Sequence, residues 1–550
     1  MAIQLLVKGK KVPSVKRNPR PHQQEAIAAS KQYFLNDKNT RGKLIMPCGT
    51  GKSLTAYWIT QTLASKATII AVPSLALIKQ SLEDWTKEML LSKTTVLPDW
   101  CCICSDESTG QLTDDFVADT YSLGIPTTTN EDEITSFLKR KAPGGKIIFT
   151  TYQSADKLAQ VSRRLKFKFD LAILDEAHKT VGAKDKAFSI LLQEDKINIS
   201  KRLFMTATPR TYTASVKSKA SERGVEITSM DDEAAFGREL HKLSFGQAIE
   251  QELLTDYRVV IVGVTDPQVQ ELIDQRELVS VAGTISTDAR TLAAHIGLAK
   301  ATKDYDLKRT ISFHSRIKSA DQFAQDHIKI LDWLPDTHKP EGATWTGTIS
   351  GAMNTGERRR LLTQLKQDDQ DRHALLTNAR CLTEGVDVPS LDGVAFIDPR
   401  SSQVDIIQAV GRAIRKSANK KIGTIVLPVL IPTDADAEHA LEDTAFKPIW
   451  AILNALKSHD EELAVELNNL RTELGRTGKI GQLPDRLVED LPIDIDSLLP
   501  GFLNKLSIAI LERITESWEW WYGQIQTYAE ENGDCLVPIH TYKGPYNLGM

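Results

Sequence analysis

The sequence predicts an α/β protein: two parallel-sheet lobes in tandem, then a helical extension and a small tryptophan-rich helical segment. Three observations predict it. Short apolar runs alternate with helical stretches from about residue 20 to 210, the same rhythm returns near 308–432, and beyond 433 the apolar positions take helical spacing with few breakers. In the first stretch the runs are KLIM (43–46), TIIAV (68–72), CCIC (101–104), KIIFTT (146–151), LAIL (171–174) and RLFMTA (202–207). Each is short and apolar throughout, as a strand covered on both faces must be. The second set is RTISFH, TWTGTI, ALLTN, GVAFI and GTIVLPVLI, with helical segments such as 355–367 and 402–415 between them. Residues 211–240, with SVKSKASERG and SMDDE, are polar and charged and read as a linker.

Composition narrows the class. Of 550 residues, 41% are hydrophobic and 25% charged, which is ordinary for a globular chain with several cores. The opening MAIQLLVKGKKV has no apolar run long enough for a signal peptide, and no stretch approaches the roughly 18 apolar residues of a membrane helix. No membrane partner is expected, and the six cysteines are read as the thiols of a reduced, cytoplasmic protein. A net charge of −4 argues against a binder that works by a chain-wide basic field, but not against a local groove of phosphate contacts.

Chemistry first surfaces in LIMPCGTGKS (44–53), which runs from a strand into a helix starting near Gly51. Gly49 and Gly51 let the backbone turn tightly and approach a phosphate without a Cβ in the way. The N–H groups around Thr50 then face the anion, with Lys52 reaching the outer phosphates and Ser53 a Mg²⁺ ion. Met46 stands where the strict pattern has its first glycine. A second piece is LAILDEAH (171–178), a strand ending in two adjacent carboxylates. Asp175 at that strand end can hold Mg²⁺ through water, and Glu176 can take a proton from an attacking water. Surface turns also carry Asp-Glu, so the phosphate loop is what gives this pair its meaning.

The third piece lies far along the chain. IIQAVGRAIRK (406–416) reads as a helix with Gln408, Arg412 and Arg415 on one face. Arginines on a helix face are usually solvated, but TEGVDVP (383–389) precedes them and puts Gly385 and Asp387 on a loop. Phosphoryl transfer needs positive charge against the γ-phosphate, which Arg412 or Arg415 can supply.

Together these residues resemble the superfamily-two helicases of the DEAH-box type over roughly residues 18–432, with the motifs in family order. RPHQQEAI (20–27) looks like the adenine-recognising entry motif, with Gln23 in the glutamine position. MPCGTGKS resembles motif I, AVPSLALIKQ (71–80) motif Ia, TTYQS (150–154) motif Ib, DEAH (175–178) motif II and TAT (206–208) motif III. In the second lobe FHSRIKSADQFA (313–324) is similar to motif IV, TEGVDVP to motif V and QAVGRAIR (408–415) to motif VI. The resemblance implies two RecA-like lobes, ATP and Mg²⁺ as cofactors, and a nucleic-acid strand crossing both lobes. It also implies that His178, Thr206 and Thr208 couple hydrolysis to movement, and that Gly385 and Asp387 help bind the nucleotide. The wording of PSLALIKQ, SMDDE, LLTDY and ARCLTEGVDVP is closest to the motors of restriction and phage-defence systems, which favours DNA over RNA.

The expected domains are therefore an N-terminal extension (1–19), an ATP-binding lobe (20–210), a connecting segment (211–290), a second lobe (291–432) and a helical extension (433–510). Residues 511–550 resemble the start of a helicase-associated domain, whose members usually run on past this Leu-Gly. That implies an incomplete module and a chain cut from a longer one. Some alternatives stay open. Cys101, Cys102 and Cys104 can be a metal or redox site, although adjacent thiols suit tetrahedral geometry badly and buried strand thiols fit better. Trp518, Trp520 and Trp521 can stack on bases, but packing fits better, with Trp518 and Trp521 inward and Trp520 outward. Three functions share the site: an ATP-dependent DNA helicase or translocase, an RNA helicase, or an ATP-gated clamp working with protein partners in a defence or repair complex.

Overall fold

The computed structural model describes residues 16–91, 96–104, 126–183, 187–212, 218, 227–271, 288–351, 353, 355–367, 371–379, 391–398, 402–417, 420, 422–434, 436–442, 444–539, 541–543 and 546–547. Two compact units part mainly between Leu243 and Ser244, with short later segments assigned to the first.

The first unit is built on β1 (Arg41–Ile45), β2 (Ala67–Val72), β3 (Asp99–Ile103), β4 (Thr127–Thr128), β5 (Lys146–Thr151) and β6 (Phe169–Asp175). After a two-residue β7 (Gly182–Ala183) come β8 (Ile199–Thr206), a two-residue β9 (Ile227–Thr228) that pairs with β7, and β10 (Arg238–Lys242). Eight of these strands form one sheet in the order β10-β1-β8-β6-β2-β5-β3-β4, and every pairing is parallel. Parallel neighbours need crossover connections, and the helices that make them cover both faces. Hence all six residues of β2, and all six of β5, are buried. Ile70 and Val72 pack with Ile59, Leu82 and Trp85 on one face, and Ile69 and Ala71 with Ile134 and Leu158 on the other. Each isoleucine, leucine or valine among them contributes roughly 1.5–3 kcal/mol when fully withdrawn from water.

The second unit holds β11 (Asp256–Thr265), β12 (Arg309–His314), β13 (Ala343–Ser350), β14 (Arg372–Ala379), β15 (Gly393–Asp398), β16 (Ile422–Ile431) and β17 (Leu487–Asp490). Their order is β13-β14-β12-β15-β16-β11-β17, again parallel throughout. Every apolar run named from the sequence is a strand here. Apart from the two-residue strands, β10, β11 and β17 match no run named from the sequence. The segment 211–290 was expected only to connect, yet β10 pairs with β1 at the edge of the first sheet and β11 lies inside the second. β10 (RELHK) and β17 (LVED) are polar edge strands without an apolar signature, whereas the run VVIVGV in β11 carried a readable signal.

Cys102 and Cys104 are buried around the end of β3, and burial pushes the Cys102 thiol well above its usual range and that of Cys101 up to about 11. Thiols held protonated in this way behave as small apolar side chains. The helical extension includes the helices Lys447–Lys457, Glu461–Thr477 and Phe502–Ile514, followed by Ser517–Asn532. In that last helix the tryptophans face differently from the sequence expectation. Trp518 is 63% exposed and stacks on the exposed Tyr522 at 6.5 Å, while Trp520 and Trp521 are half-buried. The reason is Gly523. Its lack of a side chain makes it the closest contact with the helix Glu461–Thr477, so its face, shared with Trp520 and Thr527, turns inward and Trp518 outward.

Candidate nucleotide site

β1 feeds straight into the phosphate loop. Met46 N–H donates to the Thr206 carbonyl (3.0 Å), continuing the pairing with β8, and the chain then turns at Gly49 (φ 90°) and Gly51 (φ 91°). Both angles lie in the left-handed region that glycine enters at little cost. Thr50 Oγ1 donates to the Pro47 carbonyl (2.8 Å) and closes the turn. Gly51 caps the helix Lys52–Thr62, so N–H groups without helical partners gather at this end. A Cβ on Gly51 would stand 2.7 Å from Gln23 Nε2, so a side chain here would displace that amide as well as strain the backbone angle.

Lys52 is buried, with Nζ 3.2 Å from the Met46 carbonyl and 3.9 Å from Glu176 Oε1. The adjacent Ser53 hydroxyl is buried with no hydrogen-bond partner, while its carbonyl accepts from the Trp85 indole (3.1 Å). A buried, unpartnered hydroxyl next to a phosphate-loop lysine fits a ligand to a hard cation.

The acidic pair closes the opposite side. Asp175 ends β6, and its carbonyl accepts from the buried Tyr152 hydroxyl (2.7 Å). Burial first, and the neighbouring Glu176 carboxylate second, push Asp175 up to about 6, against the pull of Lys52. Glu176 itself sits at φ 51°, a left-handed angle for a residue with a side chain, with its N–H donating to Asp175 Oδ1 (3.0 Å). Its Oε2 lies 3.5 Å from His178 Nδ1. That nitrogen is 2.9 Å from Thr206 Oγ1, which accepts from Thr208 N–H (3.0 Å) and donates to the Thr208 carbonyl (3.1 Å). With the Thr206 proton already engaged, His178 must be the donor at Nδ1, which fixes its neutral tautomer. Burial, holding the ring down at about 4, agrees. Buried polar groups thus line up from Glu176 past His178 to Thr206 and Thr208, hydrogen-bonded from His178 onward, with Glu176 Oε2 itself without a hydrogen-bond partner.

The structure therefore brings together Gln23, Gly49, Thr50, Gly51, Lys52, Ser53, Asp175, Glu176, His178, Thr206 and Thr208 on the first unit. Gln23, expected to read adenine, is turned onto the loop: Nε2 donates to the Gly51 carbonyl and the Thr55 hydroxyl (3.2 Å each), and Oε1 accepts from Arg20 N–H (2.9 Å). On the second unit Gln408 and Arg412 are buried on the helix Gln403–Ala413. Arg415 does not share that helical face. The helix ends at Ala413; just beyond it the Ile414 carbonyl accepts from Thr255 N–H (2.8 Å), and Arg415 forms an antiparallel bridge with Leu254. Gly385 and Asp387 lie outside the described residues. Sequence reasoning passed over two contributors, Tyr152 and His22, the latter with Nε2 3.0 Å from the Thr50 carbonyl. Both sit inside motifs already singled out, beside residues that drew the attention.

A parallel sheet with a glycine-kinked loop after its β1 strand and an acidic pair ending β6 defines a nucleotide-binding protein of the phosphate-loop class. The comparisons are more specific. The family described as the type III restriction enzyme res subunit matches residues 16–211, and the helicase conserved C-terminal domain matches 296–417. The probable helicase A859L of African swine fever virus is 26% identical over 456 residues, which is 82% of this chain and 45% of that helicase. Among solved structures, the ATP-dependent Type ISP restriction-modification enzyme LlaBIII bound to DNA matches 91% of this chain and 33% of its own, with TM-score 0.75 and 26% identity. A nuclease-deletion mutant of the Type ISP enzyme LlaGI, in complex with a DNA substrate mimic, matches 94% of this chain and 34% of its own, with TM-score 0.58 and 23% identity, which speaks to the fold alone. Residues 16–211 thus match a restriction-type family and residues 296–417 a helicase C-terminal domain, and the chain spans less than half the length of A859L, LlaBIII and LlaGI.

Proposed function

We propose that this chain is an ATP-dependent DNA translocase or helicase, the motor part of a restriction or phage-defence system. The observation that carries the ATP reading is the pairing of Lys52 Nζ with Glu176 Oε1 at 3.9 Å across the phosphate loop, beside the unpartnered Ser53 hydroxyl. In that arrangement Lys52 holds the outer phosphates and Ser53 and Asp175 hold the cation. Glu176 orients the attacking water and takes its proton. Bound Mg²⁺ would supply neutralising charge to the phosphates. Arg412 and Arg415 are the candidates for the charge that builds up on the γ-phosphate, and Gly385 and Asp387 are assigned to nucleotide binding by motif alone. His178, between Glu176 and Thr206, carries the state of the nucleotide into the strand end of β8. DNA as the track is supported by the likeness to LlaBIII, a DNA-bound enzyme.

The test is Glu176→Gln. The amide keeps the shape but cannot accept the proton, so ATP should still bind while hydrolysis falls by at least about a hundredfold. Turnover at the wild-type rate would remove Glu176 from the reaction.

A further inference from the structure

Thr50 N–H donates to the Pro47 carbonyl at 3.4 Å, while the carbonyls of Thr50 and Gly51 turn against the helix Pro21–Lys31. The Gly51 N–H, opposite the Thr50 carbonyl in a trans peptide, therefore points to the other side. The helix meets both carbonyls. Gln23 Nε2 donates to the Gly51 carbonyl at 3.2 Å, and His22 Nε2 lies 3.0 Å from the Thr50 carbonyl. A carbonyl only accepts, so His22 must carry its proton on Nε2, leaving Nδ1 as a lone pair. That Nδ1 is buried with no hydrogen-bond partner, which an imidazole tolerates only while uncharged. The charged and titratable groups around it agree. Arg20 disfavours a second positive charge, His241 on β10 competes for the same environment, and Glu25 favours charge but is outweighed by burial, which holds His22 below the ordinary histidine range.

We propose that His22 is a positioning residue for phosphate binding, acting on ATP only through the Thr50 carbonyl. Without its N–H, the Thr50 carbonyl is left buried and unsatisfied, and the peptide can rotate to find another donor. Rotation swings the following N–H out of the anion cradle, so the cost falls on nucleotide binding rather than on proton transfer at Glu176. This rests on the loop being the ATP site, as proposed above.

Two amide substitutions separate the donor from mere polarity. His22→Gln places its NH₂ where Nε2 stands, and His22→Asn places it near Nδ1, out of reach of Thr50. The KM for ATP and kcat of full-length protein, with thermal unfolding alongside, should give a His22→Asn KM raised about three- to tenfold, the worth of one net hydrogen bond. Its kcat should change less than twofold, and His22→Gln should restore KM to within twofold of wild type. Equal KM values in the two variants, a loss confined to kcat, or a His22→Asn protein that does not fold would each overturn the proposal. Wild-type protein that neither binds nor hydrolyses ATP would instead overturn the reading of the loop itself.

Discussion

Glu176 shows how one residue joins strain to chemistry. A left-handed angle costs a residue with a Cβ roughly 1–2 kcal/mol, and here it lets the chain leave β6 and turn its carboxylate back toward Lys52. The sequence showed two adjacent carboxylates; the backbone angle shows how the second one comes within 3.9 Å of the lysine. Arg412 and Arg415 differ in the same way. Identical in type and three apart in sequence, one is buried on a helix and the other lies beyond its end in a strand-like bridge. Arg415→Ala should lower kcat at least about tenfold while ATP affinity changes by less than about threefold, because a charge needed in the transition state is felt little in the ground state. Equal losses in equilibrium ATP binding and in kcat would count against that role. A third residue gives a pH signature. Burial holds His314 down at about 4, so between that value and its ordinary 6.5 the unfolded chain takes up a proton that the folded chain refuses. Stability from this site is present above 6.5 and lost as pH falls toward 4, about 2 kcal/mol of it between pH 7 and 5. His314→Gln, whose amide can still reach Ser312 Oγ, should therefore lose less stability than wild type in urea titrations at those two pH values. An unchanged difference would show that the histidine is not the sensor.

Among the elements, the crossing of the helices Glu461–Thr477 and Ser517–Asn532 depends on two glycines. A Cβ on Gly523 would meet the Thr472 carbonyl at 2.1 Å, and one on Gly475 the Trp520 carbonyl at 2.2 Å. Glycine to alanine within a helix ordinarily stabilises by roughly 0.5–1 kcal/mol, but backbone cannot yield as a side-chain tip can, so a cost of about 1–3 kcal/mol from overpacking should win. Gly523→Ala should free the last helix from its partner, seen as faster protease cleavage within 517–539, with ATP hydrolysis unchanged. Cleavage at the wild-type rate would mean the helices part without cost. The strands tell a related story about legibility. Runs such as KIIFTT announced themselves because a strand covered on both faces has to be apolar throughout. β10 and β17 could not, since an edge strand carries no such demand, and they are recruited by the open edges of β1 and β11.

For the molecule as a whole, the acidic overall balance means that the proposed DNA track would have to be held through local contacts. ATPase rates measured in parallel with single-stranded DNA, duplex DNA and RNA should rise most with DNA. DNA affinity should fall with salt, with a slope of roughly −0.7 to −0.9 per phosphate contacted. Stimulation by RNA above that by DNA would replace the track proposed here, and a flat salt response would argue against backbone contacts. No helix among the described residues is long and apolar enough to cross a membrane.

The sequence by itself determined the two lobes, the phosphate loop and the acidic pair. Both kinds of signal are local: a buried strand must be apolar along its length, and a phosphate cradle needs glycines and a lysine at fixed steps. Only the tertiary structure decided that Gln23 and His22 brace the loop from behind, that Arg415 leaves the helix of Arg412, and that Trp518 faces outward. Each of those depends on a partner far away in the chain, at Thr50 and Gly51, at Leu254 and Thr255, and at Thr472. No spacing within one segment records what will be packed against it.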